Sequence, residues 1–432
     1  MKIYKIIFLV FISGQLFSQN QLSLEDAIKE AVEHNLQIVI VKNEALMAGM
    51  NNSWSNAGAY PTIQGNIAPS VSSNNLNQKL ASGLDINRNN VLSRNFNAEV
   101  SANWNILNGF KLYTTKNKLE ELEKLGELNL TRQINSISFD VATTYTNAQR
   151  IIQQLKNLDE QISITDERIR VANKKFEVGA SGKNDLLQAQ IDKNNLINSK
   201  ASLTNEYTNI LVSLGLLLGR NPDNLAVVRD SIQLGFLESL ETITQLALKQ
   251  NPEILMVKKQ LNILNLGQKE LKAEMLPNIN LRTAYGYNRN QSDGGFSLFN
   301  QNYGPSAALS ISVPIYSGGR VQNQLNVMDL QIKNQQIAQS QLELEYRTMI
   351  TQAYNEVKSA QYRMELTEQN FKLAQENLEI ALGRARLQSI TSIELREAQF
   401  SLMDIQTKRI ETTYQAKIAQ IRLTMLSGGV VW

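Results

Sequence analysis

The chain has no cysteine among its 432 residues and a single histidine, His34. Without thiols it can form no disulfide, no thiolate metal site and no cysteine-borne lipid anchor. One histidine, no glycine-rich nucleotide loop and no clustered nucleophile or acid–base motif argue against an enzyme and against any bound cofactor or metal. His34 falls at the end of a predicted helix beside Asn35, where it reads as a structural residue rather than a ligand. A dominant charge sign is also missing: 43 basic and 40 acidic side chains are interspersed, giving a net charge of +3. No basic stripe is present to hold nucleic acid. Beyond the N-terminal segment, no run approaches the roughly 18 apolar residues that a membrane helix needs. If this chain spans a membrane, it must do so with strands.

Scarcity of breakers has the opposite meaning. With only seven prolines and 22 glycines, very long elements are allowed. The chain opens with Lys2 and Lys5, an apolar run from Ile6 to Phe17 and then Ser18. This predicts a secretory signal over residues 1–18, too short to span a bilayer and removed on export.

The remainder is written twice. Ser23-Leu24-Glu25 returns as Ser239-Leu240-Glu241, and Ala31, Asn35, Ile38 and Pro61 return as Ala247, Asn251, Ile254 and Pro277, each 216 residues later (277 − 61). Gly109, Tyr145, Leu186, Ala189, Gln190 and Gly219 return as Gly318, Tyr354, Leu395, Ala398, Gln399 and Gly428, each 209 residues later (428 − 219). The displacement changes between Pro61 and Gly109, so the copies differ mainly in one hairpin. The expected layout is a first repeat over 19–236 with a hairpin at about 61–107, and a second over 237–432 with a hairpin at about 277–316. A duplicated unit of this size suggests a symmetric assembly rather than a catalytic pocket.

Between about Phe110 and Phe176 the positions Leu130, Ile134, Ile137, Val141, Thr144, Ala148, Ile151, Leu155, Leu158, Ile162, Thr165, Ile169, Ala172 and Phe176 alternate by four and three. That 3.5-residue period predicts a left-handed supercoil against a neighbouring helix. A helix of roughly 60 residues would be about 90 Å long. The second repeat predicts the same element from about Gly319 to Leu382. Its seam includes Met328, Ile332, Leu342, Tyr346, Met349 and Ala353, but also Gln335 and Gln339. Those glutamines fit either tolerated polar positions in a coiled coil or a wall with water on one side. Breaks at about 177–183 and 388–392 precede second helices that stop at Gly219 and Gly428. Ser23 and Ser239 read as N-caps.

Elsewhere the period becomes two. Phe96, Ala98, Val100, Ala102, Trp104 and Ile106 alternate with Asn95, Asn97, Glu99, Ser101, Asn103 and Asn105. Tyr303, Pro305, Ala307, Leu309, Ile311, Val313 and Ile315 alternate likewise, and partner strands begin after Pro61 and Pro277. Strands of about 9 to 12 residues match a tilted membrane crossing. The apolar face would be buried in a soluble sandwich or turned to lipid in a barrel. Four strands cannot close a barrel, which takes about eight, so several chains must contribute; three would give about twelve. Asn- and Ser-rich stretches at about 73–93 and 289–302 are expected as surface loops. Trp104, Tyr60, Tyr285, Tyr287 and Phe110 fit either an aromatic belt or ordinary strand packing.

These features, in this order and spacing, resemble the TolC family of outer-membrane efflux channels. The residues that carry the resemblance are the two Ser-Leu-Glu starts, Asn35 and Asn251-Pro252, the pre-strand Pro61 and Pro277, Asn108-Gly109 and Ser317-Gly318-Gly319, and Phe176-Glu177-Val178-Gly179 leading to Asp185-Leu186-Leu187-Gln188-Ala189-Gln190. The resemblance implies a mainly α fold with a transmembrane β part. Three protomers would give a twelve-stranded β-barrel, four strands each, continued by a long α-helical coiled-coil barrel with an internal two-fold repeat. It implies a homotrimer in outer-membrane lipid that extends into the periplasm and docks to a periplasmic adaptor (membrane fusion) protein and an inner-membrane transporter. The function implied is a passive exit duct for efflux or type I secretion.

It also implies a periplasmic aperture lined by acidic residues, which here fall on Asp185, Glu394 and Glu397, with uncharged Gln188 at the second position of the first repeat. Six carboxylates from three copies of Glu394 and Glu397 would attract cations. A plainer reading is that they are solvated helix charges, because Arg386 and Arg396 lie nearby. The family's gating tyrosine falls on Ala385, its arginine on Ile390 and its glycine on Gln388. A secreted or periplasmic structural coiled coil with a small soluble β domain is the competing class.

Overall fold

The computed structural model describes residues 21–223, 227–228, 232–387 and 389–429. The expected signal segment and Gln388 lie outside them. The elements in order are β1 (Gln21–Leu22), α1 (Leu24–His34), α2 (Leu36–Asn51), β2 (Thr62–Lys79), β3 (Asp85–Asn108), α3 (Lys111–Glu177), α4 (Lys183–Leu217), β4 (Val227–Val228), α5 (Leu240–Gln250), α6 (Pro252–Ala273), β5 (Asn278–Ser292), β6 (Phe299–Ser312), α7 (Arg320–Arg386) and α8 (Ser392–Leu426). The duplication is visible in the lengths: α1 and α5 have 11 residues each, α3 and α7 have 67, and α4 and α8 have 35. No described helix is long and apolar enough to cross a membrane.

Two compact units share these elements. One comprises residues 21–40, 132–251 and 345–429, and the other 41–131 and 252–344. Each unit therefore draws on both repeats.

In the first unit the caps are duplicated along with the helices. Ser23 Oγ accepts from Asp26 N at 3.1 Å and Ser239 Oγ from Thr242 N at 3.2 Å, each satisfying an orphan donor at a helix start. Asn35 Nδ2 donates to Leu217 O at 2.9 Å, and Asn251 Nδ2 donates to Leu426 O at 3.2 Å. Both asparagines are buried, so each amide answers a C-terminal carbonyl that water cannot reach. The glycines after those helix ends are required twice over. Gly219 and Gly428 hold φ of +73° and +80°, and a Cβ at Gly219 would stand 2.5 Å from His34 O. The backbone carbonyl of His34, not its imidazole, is what lies nearest that position.

The seam of α3 is only part of what that helix buries. Ile137, Val141, Ala148, Ile151, Thr165 and Ala172 are buried as the heptad expects, but so are Asn135, Ser138, Ala142, Tyr145, Thr146, Gln149, Asn157 and Gln161. A helix flanked on more than one side buries a face wider than a two-stranded seam. Phe176, the last expected seam position, is 42% exposed. Some of these polar groups pair along the helix: Gln161 Nε2 donates to Asn157 Oδ1 at 2.9 Å, and Thr165 Oγ1 to Gln161 O at 2.8 Å, whereas Asn135 Oδ1 and Ser138 Oγ are buried without a partner among the described residues. Ile350, Ala353 and Val357 of α7 pack with Ile243 and Ala247 of α5 and Ala419 and Leu423 of α8.

In the second unit, Trp54 meets Tyr113 edge to face at 6.0 Å, and Lys118 Nζ lies 2.8 Å from Glu270 Oε2. Gln335 Nε2 donates to Val257 O at 3.3 Å, so this seam glutamine faces helix α6 rather than open water. The sheet has the order β2-β3-β5-β6 and is antiparallel throughout. Its strands, of 18, 24, 15 and 14 residues, are longer than expected. The stretches expected as long loops belong mostly to the strands, leaving turns only at about 80–84 and 293–298. Backbone pairing continues through Asn and Ser because the ladder needs no apolar side chain once its register is set. β6 ends at Ser312, short of the expected Val313 and Ile315, where Pro314 brings no N–H to the ladder.

Register puts Ile63 opposite Ala102, Val100 opposite Tyr285 and Leu281 opposite Leu309, so one face of the sheet is apolar from edge to edge. Ile63 and Ile67 are each 72% exposed. Among the described residues nothing covers this face, which is not how a soluble sandwich is built. Trp104 closes one end of the band, its Nε1 donating to Ala59 O at 2.9 Å. The other face carries Asn97, Glu99, Asn103 and Arg282, with Glu99 and Arg282 ion-paired. β2 and β6 each pair on one side only.

Candidate functional site

The two interhelical breaks lie in the first unit, where α3 gives way to α4 and α7 to α8. The first break holds Gly179 at φ +71°, and α4 starts from Gly182 with no side-chain cap. The second is capped fully. Thr391 Oγ1 accepts from Glu394 N at 3.2 Å, and Glu394 Oε2 accepts from Thr391 N at 2.9 Å and from Thr391 Oγ1 at 2.8 Å. This reciprocal arrangement is a capping box, legible as Thr391-x-x-Glu394 but absent from the sequence-based expectations. Glycine in one break and a box in the other are two local solutions to the same reversal.

The three expected aperture carboxylates differ in their surroundings. Asp185 is half-buried, and its Oδ2 accepts from Ser392 Oγ at 2.9 Å, so the two breaks are joined by a hydrogen bond between repeats. Glu394 is exposed and held below the ordinary carboxylate range, first by the backbone N–H of Thr391, then by its hydroxyl, with a smaller contribution from Arg384. It is therefore anionic at neutral pH. Glu397 is exposed, one turn further along α8. Both glutamates occupy one face of the helix, three residues apart.

Arg396 does not neutralise them. Its Nε and Nη2 donate to Asp192 Oδ2 and Oδ1, both at 3.2 Å, and its guanidinium lies 5.0 Å from the ring centre of Phe400. The side chain of Arg386 lies outside the described residues. Arg396 is thus engaged with Asp192, while both glutamates stand exposed, as solvated helix charges do.

Asp192 is the residue that sequence reasoning missed. Its side chain is only 8% exposed, yet it accepts from Arg168, from Arg396 and, at 3.0 Å, from Gln188 Nε2. Arg168 Nη1 also donates to Gln399 Oε1 at 3.3 Å. Burial alone would push this carboxyl up; hydrogen bonds from Arg168 and Gln188 and the charges of Arg168 and Arg396 outweigh it, and the net shift is downward. One carboxylate answers two guanidiniums, fastening α3, α4 and α8 together. The expected Gln188 position thus serves Asp192 rather than an acidic ring. No local motif could have revealed this, because Arg168, Asp192 and Arg396 are distant in sequence.

Where the family resemblance placed a tyrosine, Ala385 is half-buried. At the position of its arginine, Ile390 packs on an apolar cluster of Leu378, Ala381 and Ala398. Within one protomer the second break is held by this apolar packing, and the Asp185–Ser392 hydrogen bond joins it to the first.

Comparison with known proteins places this geometry in context. The chain is 20% identical over 302 residues to the outer membrane efflux protein BepC of Brucella suis biovar 1, covering 69% of this chain and 65% of that one. It is 24% identical over 222 residues to the outer membrane protein TolC of Vibrio cholerae serotype O1, covering 50% of each. It thus spans about two thirds and half of the lengths of these relatives. Its fold is similar to the crystal structure of CusC, with a TM-score of 0.76 and 20% identity over 96% of this chain and 93% of that one. Residues 27–220 and 243–429, the two halves of the duplication, match the outer membrane efflux protein family, and the chain belongs to that family.

Proposed function

We propose that three copies of this chain form a passive exit duct across the outer membrane and periplasm. The observation that carries the reading is the four-stranded sheet with one bare apolar face and two half-paired edges, β2 and β6. In lipid, unpaired backbone groups on an edge are very costly. Pairing β2 of one protomer with β6 of the next removes every edge and gives a barrel of about twelve strands, enough to enclose an interior. The face bearing Asn97, Glu99 and Asn103 then lines the lumen. The helices continue the wall into the periplasm, where the breaks meet a periplasmic adaptor and, through it, an inner-membrane transporter that supplies the energy. Heat-modifiable trimers extracted from the outer-membrane fraction test this; a monomer released with the soluble periplasm refutes it.

At the breaks, Glu394 and Glu397 of three protomers make an acidic aperture, with Asp185 behind them as a brace. Support comes from the anionic state of Glu394 and from Arg396 being engaged elsewhere. Single-channel conductance in planar bilayers should be blocked by multivalent cations from the periplasmic side. The Glu394→Gln, Glu397→Gln variant should relieve that block, and unchanged block would remove these residues from the aperture.

A further inference from the structure

The apolar band of the sheet is interrupted near the hairpin tips by two arginines on the same face. Arg289 stands opposite Phe96, and Arg94 stands opposite Gln291, two residues along β5 from Arg289. The two residues are therefore diagonal neighbours, roughly 7–8 Å apart at their backbones. They flank a shallow concavity in the sheet surface that includes Val71, Phe96, Tyr287 and Gln291. Its floor is aromatic: Phe96 and Tyr287 meet edge to face at 6.1 Å. Arg289 lies 5.6 Å from the ring centre of Phe299, and Arg94 is 3.4 Å from Asp293 in an exposed pair that leaves half its side chain open to solvent.

Position along the strand gives the site its meaning. From Trp104 to Arg94 the strand advances roughly 33 Å, or roughly 25 Å along a membrane normal at a tilt of about 40°. That is the height of a barrel's lipid-facing band, so the arginines stand at the boundary away from the helices, on the lipid side. Two like charges on a lipid face are unfavourable unless an anion answers them, and a single exposed carboxylate answers only one. An apolar floor with a cationic rim fits an anionic amphiphile.

We propose that Arg94 and Arg289 bind the phosphate of a phosphorylated glycolipid of the outer leaflet, whose first acyl segments lie over Phe96 and Tyr287. The proposal rests on the barrel reading above. It is tested on full-length protein extracted from outer membranes in mild detergent, incubated with bisphosphorylated lipid A or its dephosphorylated form, with retained lipid counted by native mass spectrometry. Wild type should retain the phosphorylated form roughly thirtyfold better than the dephosphorylated form, the size that two charge contacts of about 1 kcal/mol each near a membrane surface can supply. The Arg94→Gln, Arg289→Gln variant should lose that preference, and Arg94→Lys, Arg289→Lys should keep most of it. Equal retention of both lipids by wild type, or undiminished preference in the glutamine variant, overturns the proposal. Displacement of the lipid by millimolar inorganic phosphate would reassign the site to free phosphate and overturn it as well. If heat-modifiable trimers are present but the preference is not, this proposal alone fails; if the trimers are absent, the channel reading fails with it.

Discussion

Asp192 and Arg168 face each other across α3 and α4 as a buried ion pair, and Arg396 of α8 joins them from the other repeat. Removing the shared carboxylate leaves the buried Arg168 guanidinium with no counter-charge, while Arg396, whose side chain is 40% exposed, is partly answered by water. Asp192→Asn should cost about 3–5 kcal/mol of local stability, the range for breaking a buried pair. Hydrogen exchange should rise around both breaks, and limited proteolysis should cut at residues 178–182, while the β-sheet stays protected.

The same centre sets a pH limit. The Asp192 pKa is lowered on folding, so its contribution is present above the unfolded value, near 3.8, and is lost as pH falls through the lower folded value. Proteolytic sensitivity of the breaks should stay flat from pH 7 to pH 5 and rise only below about pH 4. A rise centred near pH 6 would show that another group controls the breaks.

Thr391→Ala removes the hydroxyl half of the capping box at the start of α8 and leaves the Thr391 backbone N–H donating to Glu394. Loss of such a cap costs about 1 kcal/mol. The first turn of α8 should exchange faster, and Glu394, deprived of the Thr391 hydroxyl, should titrate at higher pH than in wild type by carboxylate NMR.

Glycines at positive φ should not be equivalent. Gly219 and Gly428 would drive a Cβ into neighbouring backbone, whereas Gly179, at φ +71°, has open space around it. Alanine at Gly179 should cost about 1–2 kcal/mol of backbone strain. Alanine at Gly219 or Gly428 should cost more, and heat-modifiable trimer yield should fall further for these two.

The two faces of the sheet should respond differently to charge. Val100→Arg puts a cation near the centre of the apolar band, opposite Tyr285, and should cost about 2–4 kcal/mol in lipid, lowering trimer yield in the outer membrane. Asn97→Arg, on the other face, should assemble normally and shift cation conductance. Similar yields for both variants would refute the lipid-facing assignment.

The order of the elements and the reach of the long helices follow from the sequence alone. The heptad spacing from Leu130, the alternation around Val100 and the glycine stops at Gly219 and Gly428 are local signals, and local periodicity is enough to define helices and strands. Glu394 and Glu397 are singled out by the family resemblance, and their spacing of three puts them on one helix face. The Thr391 capping box is also written in four residues. Tertiary structure decided everything that joins distant residues. It extended the strands through Asn and Ser once their register was set, turned Gln335 toward a helix, and gave Arg396 to Asp192 instead of to the glutamates. It also set Arg94 and Arg289 diagonally on one face. Those outcomes depend on which surfaces meet in three dimensions, and no period in a chain of this length records that.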